Sequence, residues 1–251
     1  MQVHKTSRTS FFSIFLILSS WLFMTMSCNS FRPIKPSVPL AAHVVPELRN
    51  PYLATYSVVF QSTRASAVAI SCEAEKPALF LTAAHVVHGI SKMIGIPNAP
   101  ILLKGSGGFM IARAIKIDEK ADLALLKTMH IVKNGCVSVS IANSHPFLGE
   151  RVFAVSSPKG FDKYITSGVI SKYILNPFNK KFYMTDIVIH RGSSGGGVYN
   201  TRGELVAIVS SMVAEDLRIN IGIGILVLEK KYDGLGNIVS VFEIQKFLEK
   251  Q

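Results

Sequence analysis

Acids are scarce in this sequence: 16 aspartates and glutamates face 27 lysines and arginines, and charged residues make up 17% of the 251. The resulting +11 charge is not gathered into a block of like charge. No zinc finger, RNP motif or Arg-rich run accompanies it, so nucleic acid is not expected as a partner. A generally basic surface suits anionic membrane or cell-envelope surroundings instead. Cysteine is scarce too. Cys28, Cys72 and Cys136 are too few for a disulfide framework. Cys72 and Cys136 can pair in an oxidising compartment or lie as buried apolar thiols, and the second reading is favoured. No third ligand follows His85 and His88 at a usual zinc spacing, so no metal or cofactor is expected.

Long hydrophobic runs are also missing. Phe11–Met26 is charge-free and apolar over 16 residues, short of the roughly 20 that a free-standing span needs. It follows a polar segment holding Lys5 and Arg8 and no acid, which is the order of a signal peptide. Thr25-Met26-Ser27-Cys28 loosely resembles a bacterial lipobox, with Thr25 where leucine is usual. The expectation is export, with residues 1–28 serving as a signal peptide or as a membrane or lipid anchor. Retention would come from a lipid on Cys28 or from an uncleaved anchor. Residues 29–50 carry Pro33, Pro36, Pro39 and Pro46 and read as an extended linker.

What the chain has, from Pro51 onward, is short apolar runs rich in Val, Ile, Phe and Tyr. Examples are Tyr56–Phe60, Ala78–Thr82, Phe109–Ile117, Leu123–Lys127, Phe182–Ile189 and Ile221–Leu228. Gly, Pro, Asn and Ser separate them. This spacing predicts an all-β antiparallel sandwich or barrel. Nothing alternates with long helices, which disfavours a parallel α/β sheet. The one clear helix starts at Ser240, with Ser240 and Glu243 as a capping box and Val241, Ile244, Phe247 and Leu248 as an apolar stripe.

Three segments carry chemistry. Thr185–Asn200 reads T-D-I-V-I-H-R-G-S-S-G-G-G-V-Y-N. A serine in such a glycine-rich turn presents its hydroxyl, and the turn supplies N–H donors for an oxyanion. Ser194 is the candidate nucleophile, with the N–H groups of Gly192 and Ser194 as donors. Taken alone, the segment reads equally well as a hairpin loop. Leu81–His88 reads L-T-A-A-H-V-V-H, where His85 follows a strand and opens a short turn. A histidine titrates where a general base must, though a lone histidine is more often structural. Ala121–Lys127 reads A-D-L-A-L-L-K. Asp122 leads into an apolar strand and needs a hydrogen-bond partner, which an imidazole N–H would supply. Asp118 and Glu119 read as solvated turn residues. The order His85, Asp122, Ser194, at separations of 37 and 72 residues, is that of chymotrypsin-type double barrels.

With these residues in view, the sequence resembles the trypsin-like serine proteases, most closely the HtrA/DegP branch. L-T-A-A-H-V-V, D-L-A-L-L and the Thr185 segment are similar to that family's three catalytic motifs. Thr166–Ser171, Gly203–Val206 and Gly222-Ile223-Gly224 match further segments in order. The resemblance implies two six-stranded antiparallel β-barrels, about 51–145 and 146–239, and a C-terminal helix at 240–250, within a protease domain spanning 51–251. It implies His85 as base, Asp122 as orienter and Ser194 as nucleophile of a serine endopeptidase acting on polypeptides. Ser210, Ser211 and Met212 would form the strand that pairs with substrate, near Gly222 and Gly224. Val188, six residues before the nucleophile, would floor an uncharged pocket and select small or medium apolar residues. HtrA proteins are often trimers, so a homo-oligomer is an expectation. Ser193 stands where relatives have Asn or Asp, and Gly197 replaces the usual Pro or Ala, which loosens the turn. A PDZ domain would need about 80–100 residues more than the chain has. A non-catalytic peptide-binding or chaperone-like module on the same fold is the alternative function, with an esterase behind it.

Overall fold

The computed structural model describes residues 40–60, 63–132, 136–158, 163–220 and 225–249, with 212–220 and 225–234 by backbone alone. Expectations placed on residues 1–28, on linker residues 29–39, and on Gly222 and Gly224 lie outside the described residues.

The β-branched and aromatic runs close into two antiparallel barrels. The first contains β1 (Thr55–Phe60), β2 (Thr63–Ser71), β3 (Pro77–Thr82), β4 (Ile101–Gly105), β5 (Gly108–Asp118) and β6 (Leu123–Ile131). Its order is β1-β2-β3-β6-β5-β4, and β4 pairs back onto β1. The second contains β7 (Arg151–Ser156), β8 (Tyr164–Leu175), β9 (Lys181–Thr185), β10 (Gly197–Tyr199), β11 (Leu205–Asn220) and β12 (Ile225–Ser240). Its order is β10-β11-β12-β9-β8-β7, closed by β10 on β7. This is the double barrel that the strand spacing and the resemblance imply. Closure leaves no free sheet edge, so every strand can put one row of side chains inward. The alternation on β5 is plain: Ala112 and Ala114 are buried while Ile111, Arg113 and Ile115 are exposed. Large inward residues such as Tyr56, Phe80, Leu126 and Ile170 fill the interiors, and Tyr56 meets Phe80 edge-on at 4.9 Å.

Several elements differ from the sequence reading. Helix α1 (Pro46–Ala54) takes the end of the expected linker, after a 3-10 turn at Leu40–His43. Pro46 sits in its first turn, where a missing N–H costs nothing, and Leu48, Tyr52 and Ala54 are buried. Strands β4 and β10 are too short to stand out as runs. Of the expected Phe182–Ile189 run only the part up to Thr185 is strand, β9; Ile187 and Ile189 are buried outside it. β11 and β12 form one long hairpin with register shifts at Val209/Ser211 and Met212/Ala214. Helix α3 (Val241–Glu249) follows β12. Only half of its expected capping box forms. Ser240 Oγ accepts from the Glu243 N–H at 3.5 Å, while the Glu243 carboxylate accepts from the Lys181 N–H at 3.1 Å and pairs with Lys180 at 3.4 Å.

Cys72 and Cys136 are joined in a disulfide, with Cα atoms 5.7 Å apart across 64 residues. This corrects the preference for free buried thiols. Cys72 continues from β2 and Cys136 follows β6. Val139 N–H bonds the Ala69 carbonyl nearby, at 3.1 Å, so the loop after β6 is folded back along β2. Nothing in the local sequence encodes that return.

Candidate active site

His85 does not open a short turn, as the small residues around it led one to expect. It lies in the first turn of an 11-residue helix, α2 (Ala84–Ile94). The helix buries Val86, Val87 and Ile90 and ends at Gly95, whose φ of 73° lets its N–H reach the Ser91 carbonyl. The first N–H groups of a helix lack internal acceptors. Here the Asp122 carboxylate supplies one across 37 residues: the His85 N–H donates to Asp122 Oδ1 at 3.0 Å. The same carboxylate holds the ring, with His85 Nδ1 at 3.0 Å from Oδ1 and 2.9 Å from Oδ2. Asp122 therefore caps α2 and fixes the imidazole at once. Its other ring nitrogen has no protein partner among the described residues, and the His85 side chain is half exposed.

The loop that delivers Asp122 is tightly made. Asp122 has φ of 54°, a left-handed conformation that aspartate tolerates better than most residues. Asp118 accepts from the Ala121 N–H at 3.0 Å and pairs with Lys180 at 3.0 Å. Asn176 donates to the Lys120 carbonyl at 2.7 Å. Asp118 is thus an anchored residue rather than a solvated one. Lys180 ties this loop of the first barrel to Glu243 on α3. Glu119 stays at the surface, facing His88 at 3.3 Å.

Asp122 takes a third bond, from Ser210 Oγ at 2.6 Å. Burial pushes its carboxyl upward. The hydrogen bonds and charge from His85, with the Ser210 hydroxyl, outweigh that and hold it below the usual carboxylate range. Ser210 was read only as part of a substrate-pairing strand. Its carbonyl also accepts from Ser194 Oγ at 3.2 Å. One residue of β11 therefore links Asp122 to Ser194. Among the described residues no hydrogen bond runs from the His85 ring to Ser194, whose hydroxyl rests on Ser210.

The serine turn is defined by its bonds. Ser193 N–H donates to the His190 carbonyl at 2.9 Å, and Gly192 has φ of 99°. A positive φ at the third position makes this a type II turn, which glycine permits. Gly195 N–H goes to Val209 at 2.8 Å and Gly196 N–H to Ser193 at 2.9 Å. Among the described residues, the N–H groups of Gly192 and Ser194 have no protein acceptor. Ser193 is buried, taking bonds from Ser156 Oγ at 3.1 Å and His190 N–H at 3.3 Å, whereas Ser194 is partly open. Gly195, at φ of 82°, leaves no room for a Cβ against the Ser66 carbonyl and Thr82 Oγ1. A Cβ on Gly197 would strike the Tyr199 ring. Gly197 opens β10, where glycine leaves room for that ring.

Sequence reasoning missed Ser66 altogether. Its N–H donates to the Ser194 carbonyl at 2.8 Å and its hydroxyl to the Gly192 carbonyl at 2.9 Å. It also accepts from the Ser157 N–H at 2.9 Å. Ser66 lies on β2, so these bonds pin the serine turn of one barrel to the other. The remaining expected residues are dispersed. Val188 stands half exposed between buried Ile187 and Ile189, Ser211 is exposed on β11, and Met212 is described by backbone alone. Among the described residues no group of three or more His, Cys, Asp or Glu side chains is placed to hold a metal ion.

A family model described as a trypsin-like peptidase domain matches residues 65–208. The chain belongs to the trypsin-like peptidase family. Its two closed six-stranded barrels agree with that family's fold. Among relatives, a probable periplasmic serine endoprotease DegP-like of Pseudomonas fulva is 37% identical over 105 residues, 40% of this chain and 21% of that one. The chain thus spans about a fifth of that relative's length. Among solved structures, the serine endoprotease from Yersinia pestis is 26% identical with a TM-score of 0.58, covering 85% of this chain and 67% of that one. Rv3671c from M. tuberculosis, in an inactive form, has a TM-score of 0.63 at 16% identity, covering 88% of this chain and 96% of that one. The second likeness speaks to the fold alone. A trypsin-like peptidase with HtrA and DegP relatives is what the sequence motifs anticipated.

Proposed function

We propose that the chain is a serine endopeptidase of the HtrA/DegP type, working through an acyl-enzyme. The observation that carries this reading is Ser210. Its hydroxyl lies on Asp122 and its carbonyl on Ser194 Oγ, which brings the nucleophile within two short links of the residue that orients His85. In the working enzyme the Ser194 hydroxyl leaves its resting place on Ser210 for the ring of His85. Resting catalytic hydrogen bonds are often loose and tighten only with substrate.

His85 then takes the Ser194 proton as the oxygen attacks a peptide carbonyl, and Asp122 stabilises the imidazolium. The free N–H groups of Gly192 and Ser194 receive the oxyanion, one such donor being worth about 3 kcal/mol. His85 passes the proton to the leaving amine, and water repeats the sequence on the ester. Val188 is uncharged, which supports cleavage after small or medium apolar residues; a cation buried against it would lack a partner. The Cys72–Cys136 bond supports an oxidising compartment. The periplasmic naming of relatives and the signal-like N-terminus support the same reading, a protein of the cell envelope acting on unfolded or exported polypeptides.

The test is digestion of unfolded casein with mass-spectrometric mapping of the cuts. Cuts after Val, Ala, Ile or Leu, lost in Ser194→Ala with turnover down about six orders of magnitude, are expected. Cuts after Arg or Lys would refute the pocket assignment, and binding of casein without cutting would favour the chaperone-like module.

A further inference from the structure

The outer face of the first barrel is not built like an ordinary solvated sheet. Phe109, Ile111 and Ile115 on β5, with Met129 and Ile131 on β6, are between 45% and 64% exposed. Outward positions of a water-facing sheet are normally polar. Contiguous exposed apolar surface marks an interaction site.

Charge on these two strands is basic up to the last residue of β5: Arg113, Lys116 and Lys127 are present, and the single acid, Asp118, is held by Lys180. Arg113 and Lys127 are direct cross-strand partners. Like charges placed opposite one another destabilise a sheet. Among the described residues neither has an ion pair. An anionic surface would relieve that repulsion, and an apolar layer just beneath it would take the isoleucines and phenylalanine. Both demands are met together by a lipid headgroup region over acyl chains.

We propose that the outer face of β5 and β6 docks on an anionic lipid bilayer. Phe109 and Ile131 lie at the end of this hairpin far from Asp122, roughly 25–30 Å of strand away. Docking by that end leaves the cleft of His85 and Ser194 open to polypeptides. The inference does not depend on catalysis.

The experiment uses the full chain carrying Leu16→Lys and Leu18→Lys, so that the apolar N-terminal run cannot insert by itself. Co-sedimentation is measured with phosphatidylglycerol–phosphatidylcholine vesicles and with pure phosphatidylcholine vesicles. Binding to the anionic vesicles alone, weakening with salt, is expected. Ile111→Ser with Ile115→Ser, and separately Arg113→Gln with Lys127→Gln, should each weaken it by about tenfold or more. The second pair also removes a repulsion, so its melting temperature should not fall, which keeps the test valid if the serine variant folds poorly. Equal binding to both vesicle types, or no loss in the glutamine variant, would overturn the proposal. So would a dimer in solution that the same substitutions dissolve, which would assign the face to a second copy of the chain.

Discussion

Asp122 carries three duties: it caps α2, holds the His85 ring and takes the Ser210 hydroxyl. Replacing it separates them. In Asp122→Asn an amide oxygen can still cap the helix, but the wrong hydrogen-bond pattern meets the ring. Peptidase turnover should fall by about four orders of magnitude, with a melting temperature close to the parent's. Asp122→Ala should lose the cap as well and cost about 1 kcal/mol of stability at neutral pH, read from denaturant unfolding. The pH sign follows from the direction of the shift. A carboxyl held below its unfolded value stabilises the fold above the ordinary carboxylate range and loses that contribution as pH falls through the folded value. Asp118 and Asp122 are both lowered. Melting temperature should therefore decline as pH drops below about 4, less steeply in Asp122→Asn. A flat profile in the parent would contradict the assignment. The His85–Asp122 pairing was readable from the sequence because each residue sits in a motif. Ser66 and the Asp122 bond of Ser210 were not. A serine is common, and a role that rests on a partner 88 or 126 residues away leaves no local trace.

Among elements, the serine turn is the most constrained. Its type II form depends on a positive φ at Gly192. Gly192→Ala should pull the turn toward type I, rotate the N–H away from the oxyanion and cut turnover 10- to 1,000-fold, with folding retained; strain of about 1–3 kcal/mol at such a residue sets the scale. Gly195→Ala should do worse, since its Cβ meets Ser66 and Thr82 across the barrel junction. Its melting temperature, not only its activity, should drop. Strand identities were legible from apolar runs bounded by turn residues. Strands β4 and β10 were not, being only five and three residues long. Helix α2 was hidden because its start, Ala-Ala-His, carries no capping side chain. The cap comes from Asp122, far along the chain. Helix α1 was hidden by the prolines around it, one of which is a good first-turn residue.

At the scale of the molecule, two closed barrels are pinned together by serines and by the Asp118–Lys180 ion pair. Ser66 bonds the turn of Ser194, and Ser57 bonds Ser157 at 2.8 Å. The Cys72–Cys136 bond closes a loop of 64 residues around the first barrel. Chain entropy sets its contribution at up to about 4 kcal/mol, so Cys72→Ser with Cys136→Ser should unfold at clearly lower denaturant, while Cys28→Ser should not. The pairing was left open in the sequence because spacing alone cannot bring two thiols together. The double barrel itself was legible, since strand spacing, motif order and family resemblance agreed. The central claim is that Ser194 is an activated nucleophile under His85. The most direct measurement is intact mass after exposure to a fluorophosphonate. One adduct, mapped to Ser194 and absent in both Ser194→Ala and His85→Ala, is the expected result. No adduct on the folded parent protein, or an adduct that survives in Ser194→Ala, would contradict it.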